Sequence, residues 1–118
     1  MGGNTHDNFG KEYYKFVYRL SKISETVKKM NLLTDEEIKN AEKRSQQDIL
    51  EYGVRLVSEG TDKNTINNIL SKIIRQENDK YTRQLMNIKK EFVLQMYAYS
   101  NPLYITSYLN SIQNYEEG

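Results

Sequence analysis

The chain has no cysteine and no tryptophan, and only one histidine, His6, and one proline, Pro102. Without thiols there is no disulfide, no thiolate metal site and no cysteine nucleophile, and the redox compartment is left open. The lone histidine has no partners beside it with which to build a metal cluster or activate a nucleophile. No run approaches the roughly 20 apolar residues needed to span a bilayer, and the N-terminal stretch with Asn4, His6 and Asp7 lacks the apolar core of a signal peptide. Charge of one sign is missing too: 17 basic and 16 acidic side chains give a formal net charge of +1. No long-range field therefore steers nucleic acid or anionic lipid onto the chain. The six glycines never fall into a phosphate-cradling pattern. The expectation is a protein that is not an enzyme, needs no cofactor or metal, and acts by contacting other proteins; a reducing cytoplasm is compatible with it.

What is present belongs to an all-α protein. The 118 residues suit one domain, with 37% hydrophobic and 28% charged residues, the composition of a helical protein with a charged surface. Met1-Gly2-Gly3 resembles a cloning remnant, so residues 1–7 are expected to stand outside a single helical domain over 8–118. Phe9, Tyr13, Phe16, Leu20, Ile23, Val27 and Met30 recur every three or four positions, which predicts an amphipathic helix from about Asn8 to Met30. After the elbow Asn31-Leu32-Leu33, Thr34 and Glu37 form a capping-box pattern that starts a second helix. That helix is charged through Lys39, Glu42, Lys43 and Arg44, turns apolar at Ile49, Leu50, Val54, Leu56 and Val57, and stops at Gly60.

Thr61 or Asp62 caps the next helix, whose stripe is Ile66, Ile69, Leu70, Ile73 and Ile74. The apolar spacing thins over Arg75 to Gln84 and resumes at Leu85, Ile88, Phe92, Val93, Met96 and Tyr97. Residues 62–98 are accordingly one long helix or a helix pair with a junction in 75–84. Asn101 and Pro102 open a closing helix with Leu103, Ile105, Leu109 and Ile112 on its buried face. The expected architecture is a small bundle of about five helices.

Candidate chemistry is sparse. Asp35-Glu36-Glu37 and Glu116-Glu117 have the character of solvated carboxylates rather than acid–base pairs. Ten tyrosines stand out; a phenol ring serves cores and interfaces alike, and Tyr97, Tyr99 and Tyr104 around the Asn101-Pro102 corner are candidates for an interface, including one between copies of the chain.

The segment Tyr52-Gly53-Val54-Arg55-Leu56-Val57-Ser58-Glu59-Gly60-Thr61-Asp62, followed by Ile66, Ile69 and Leu70, resembles the cytoplasmic part of the flagellar stator subunit MotA, of the MotA/TolQ/ExbB-type proton channel family. The upstream stretch Val27 to Glu36 is similar to that family's basic pair, apolar pair and downstream glutamate, and Glu91 to Met96 with Asn101-Pro102 is similar to the segment after its last membrane helix. The three stretches occur in family order. Family members carry membrane helices where this chain has only Arg75 to Gln84, so it cannot conduct ions itself and is either a natural soluble relative or a form with the membrane hairpin removed.

The resemblance implies a cytoplasmic domain that contacts the rotor protein FliG through complementary charges. In the whole family protein this contact couples ion flow to rotation, and the second stator subunit MotB joins through the membrane helices. The family's basic position falls on Lys28, with Lys29 beside it, and its acidic position falls on Glu36. Lysine replaces the usual arginine, which removes bidentate pairing with a carboxylate. Asn31 replaces a glycine, and Asp35 stands where an apolar residue is usual. A reading of another class also stands: a regulatory or nucleic-acid-binding helical module, with Lys11, Lys15, Arg19 and Lys22 as a phosphate-tracking stripe, opposed by Glu12 and Glu25 on the same helix.

Overall fold

The computed structural model describes the backbone of residues 4–97 and the side chains of residues 10–96, and these form an all-α bundle. In chain order the elements are α1 (Asn4–Lys29), α2 (Asp35–Ser45), a π-helical segment (Gln46–Glu51), α3 (Tyr52–Ser58), α4 (Lys63–Gln76) and α5 (Lys80–Tyr97). Helix α1 begins at Asn4, ahead of the start near Asn8 that apolar spacing marks. The expected closing helix after Asn101, with Tyr99 and Tyr104, lies outside the described residues, as does the side chain of Tyr97. The count of about five helices included that element; α2, the π segment and α3 run on as one rod, so the described residues form four rods.

Caps account for most of the boundaries. Thr34 Oγ1 accepts from the Glu37 backbone N–H at 3.1 Å while Glu37 accepts from the Thr34 N–H at 2.9 Å, which is the capping box the sequence predicts. Asp62, rather than Thr61, caps α4 by accepting from the Thr65 N–H at 3.0 Å. Gly60, at φ 80°, ends α3: its own N–H reaches the Val57 carbonyl and that of Thr61 reaches the Leu56 carbonyl. Those two bonds make a Schellman motif, whose left-handed residue costs glycine nothing. The junction within 75–84 is a break after Gln76, so 62–98 holds a helix pair. Asp79 begins α5 by accepting from the Thr82 N–H at 2.9 Å and the Thr82 hydroxyl at 2.6 Å.

The π segment is a feature that periodicity does not announce. Ala41, Ser45, Ile49 and Gly53 are all buried and lie four residues apart, a spacing longer than the 3.6-residue α period. The wider i→i+5 turn keeps them on one side of the rod instead of letting them drift around it.

Helix α5 is the centre of the bundle, since α1, α2, the π segment, α3 and α4 all pack against it. Its buried residues include Leu85, Met86, Ile88, Phe92, Val93 and Met96. They meet Ile49 and Leu50 from the π segment, Ile66, Leu70 and Ile74 from α4, and Phe16 from α1. Phe16 and Phe92 stack with ring centroids 4.2 Å apart. Each fully buried aliphatic side chain here contributes on the order of 1.5–3 kcal/mol. Lys89 is buried in the same helix at 1% exposure, and its ammonium donates to Ser45 Oγ at 2.9 Å and approaches the Glu42 carbonyl at 3.4 Å. A buried amine needs such oxygen partners.

Gly53 is where α3 comes closest to α5. A Cβ there would lie 2.8 Å and 2.9 Å from the two methyls of Val93 and 3.3 Å from a Leu70 methyl. Val93 is β-branched and fully buried, so it cannot swing aside. Gly53→Ala is expected to destabilise the fold by about 1–3 kcal/mol despite alanine's better helix propensity. Urea denaturation of the two proteins measures this, and Gly53→Ala combined with Val93→Ala is expected to relieve the clash, shown as a positive coupling in the double-mutant cycle.

Candidate protein-interaction surface at the elbow

Residues Met30 to Thr34, between α1 and α2, form an elbow whose conformation follows from two end motifs back to back. At the end of α1 the Asn31 N–H reaches the Lys28 carbonyl at 3.1 Å and the Leu32 N–H reaches the Val27 carbonyl at 3.2 Å. This is again a Schellman arrangement, with Asn31 in the left-handed region at φ 53°. Asparagine is the side chain besides glycine that enters this region most readily. Within three residues the Thr34 capping box then starts α2. The chain reverses in a short, fully hydrogen-bonded turn.

The three charged residues singled out by the sequence sit on either side of that turn. Lys28 and Lys29 occupy the last turn of α1 and Glu36 the first turn of α2, and all three are exposed. Their placement also suits the helix dipoles, cations at a C-terminus and a carboxylate at an N-terminus, worth roughly 0.3–1 kcal/mol each. None of the three has an ion-pair partner among the described residues. Met30 and Leu32 stand exposed between them, so the elbow displays both charge and apolar surface.

A second, smaller core fixes the elbow to the bundle. Val27, Ile38, Ala41, Tyr81 and Leu85 are buried together, with Leu33 packed against them. Burial pushes the Tyr81 phenol above its ordinary range, and the nearby Glu42 carboxylate adds to this. Beside this cluster, between the end of α1 and the start of α5, lies an open groove of about 440 Å³ lined by Ile23, Val27, Leu32, Leu33 and Tyr81, with Lys22, Asp79 and Lys80 at its edge. Sequence reading does not find this groove, because it needs the register between helices far apart in the chain.

The basic stripe on α1 is partly neutralised. Arg19 forms a bidentate pair with Glu91 of α5, at 2.8 Å and 3.3 Å. The hydrogen bond raises the Arg19 pKa and lowers that of Glu91. Lys15 lies 4.0 Å from Glu12 and Lys22 3.9 Å from Glu25, while Lys11 is exposed. Among the described residues no group of acids and histidines is placed to hold a metal ion, and no helix is long and apolar enough to cross a membrane. No protein-family model, curated protein or solved structure matches the chain.

Asp79 ties the start of α5 to pH. Its hydrogen bonds with the Thr82 hydroxyl and N–H hold its carboxyl below the usual range. A group with a depressed folded-state pKa stabilises above its unfolded value, near 4, and the contribution disappears as pH falls through the folded value. Thermal unfolding is therefore expected to drop in midpoint between about pH 5 and pH 2. Asp79→Ala is expected to lower the midpoint at neutral pH and to flatten part of that acid slope, as followed by circular dichroism.

Proposed function

We propose that this chain is a protein–protein interaction domain that resembles the cytoplasmic part of a flagellar stator and contacts the rotor protein FliG through charges at the elbow. The observation that carries the reading is the placement of Lys28, Lys29 and Glu36, unpaired among the described residues, on the two flanks of one rigid turn. Those are the positions onto which the resemblance maps the family's charged contact residues. Asn31 departs from the glycine that the resemblance places here, and its left-handed backbone is one that glycine also adopts. Charges at a wet interface give orientation and fast, salt-sensitive association rather than high affinity, which suits a contact made and broken repeatedly. In a whole stator the same contact transmits the effect of ion flow to the rotor; MotB and the membrane helices that pair with it belong to that assembly.

The nucleic-acid reading has less behind it, since three of its four cations lie beside carboxylates. A stripe of ion pairs releases few counterions from a phosphate backbone.

Binding of the chain to a purified C-terminal domain of the rotor protein tests the proposal by NMR shift perturbation. At low salt the shifts are expected to cluster around Met30 to Glu37, to weaken at physiological salt, and to vanish in Lys28→Glu and Glu36→Lys. Each reversal also removes a favourable dipole interaction, so circular dichroism checks that the helices persist. Absence of shifts at low salt refutes the proposal.

A further inference from the structure

The charges of the elbow invert about its centre. Lys28 and Glu36 each stand four residues from Leu32, and Lys29 and Asp35 each stand three. Because the chain reverses at the elbow, the two lysines end α1 on one flank and the two acids open α2 on the other. All four are exposed, and none has an ion-pair partner among the described residues, not even across the elbow. Glu37, the third acid of the turn, is already engaged by the Thr34 N–H at 2.9 Å. The next charges outward, Glu25 and Lys39, keep the inversion, but Glu25 lies 3.9 Å from Lys22 and adds little.

Between the flanks the surface is apolar. Met30 and Leu32, each 61% exposed, are two of the four large apolar side chains that stand in solvent among the described residues. The Asn31 turn and the Thr34 capping box hold this tip in one conformation, so little ordering entropy opposes a contact there.

The balance of charge selects the occupant. Two cations on one flank and two anions on the other give no preference for a partner of one sign, which meets repulsion on one side. A second copy meets none. Under a two-fold axis the same patch serves both protomers, each residue meeting its counterpart's partner, and a patch that is positive on one flank and negative on the other is its own complement.

We infer that two copies of the chain pair through the elbow, about a two-fold axis normal to the plane in which the chain reverses. Met30 and Leu32 of both protomers meet at the centre, and Lys28 and Lys29 of one protomer face Glu36 and Asp35 of the other. A tip of this size buries far less than the roughly 1,200–2,000 Å² of stable complexes, so the pairing is weak, and its exposed charges make it salt-sensitive. Pairing covers the surface proposed to meet the rotor, so the two contacts exclude each other and crowding of the chain withholds it from the rotor. That consequence alone rests on the rotor reading; the pairing itself does not.

Sedimentation equilibrium and NMR on the full chain, from about 10 µM to about 1 mM at low salt, test the inference. The expected result is a monomer–dimer equilibrium with a Kd on the order of 0.1–1 mM, weakened by salt, with concentration-dependent shifts at Met30, Leu32 and Asp35. Lys28→Glu and Glu36→Lys are each expected to weaken pairing at least about tenfold. An equimolar mixture of these two variants is expected to pair again, because both contacts of the mixed dimer then join a carboxylate to an ammonium. Mixing cannot repair a chain that fails to fold. Lys72→Glu, an equal change of charge on the exposed face of α4, is expected to leave pairing within about twofold. No association at 1 mM, association that the reversals do not weaken, or a mixture that stays monomeric overturns the inference. If the mixture pairs while the rotor domain binds no form of the chain, the pairing stands and only the rotor assignment fails.

Discussion

The structure depends on one constraint, that helix α5 must be covered over nearly half of its circumference. Its buried residues Tyr81, Leu85, Met86, Ile88, Lys89, Phe92, Val93 and Met96 span too wide an arc for a single neighbour. The remaining rods are arranged to meet that demand: α1 along one flank, α4 along another, and the α2–π–α3 rod across the rest. Two local departures from regular helix serve the same end. The π segment holds the buried four-residue spacing of the rod against α5, and Gly53 lets its second half approach within contact of Val93. Lys89 sits where the rod and α5 meet, and its Nζ links the two through Ser45 and the Glu42 carbonyl.

The proposed interaction surface follows from how α1 and α5 are joined to that centre. They cross the bundle antiparallel, with Phe16 stacked on Phe92 and Val27 packed near Tyr81 and Leu85. The Asn31 turn and the Thr34 capping box bring α2 back within a few residues, so the end of the α1–α5 seam is left uncovered and a furrow remains. Lys28, Lys29 and Glu36 complement the dipoles of the helices that carry them, and all three are exposed.

Much of this was legible in the residues, wherever the signal is local. The capping box at Thr34 and Glu37, the turn at Gly60, the stripe of α4 and the all-helical class are all written in contiguous stretches, and the structure bears them out. The break at 77–79 was visible only as thinning periodicity; the decisive residue, Asp79, offered a cap signal with Thr82 three positions later. The π segment, the buried Lys89, the Arg19–Glu91 pair and the furrow escaped, since each depends on which helix lies opposite. Arg19 and Glu91 are 72 positions apart, and no spacing rule within a helix connects them. The exposed charges at the elbow were legible as charges, but solvated and partner-binding lysines look alike in sequence.

Docking of a partner at the elbow and the adjoining groove is directly testable, because the chain has no cysteine. A single cysteine carrying a photo-crosslinker is placed at Leu32, in the groove, or at Lys72, an exposed residue of α4, and each protein is irradiated with the purified rotor C-terminal domain. The account predicts a cross-linked species from the Leu32 position that high salt diminishes, and none from the Lys72 position. Cross-linking from Lys72 alone, or equally from both, contradicts it.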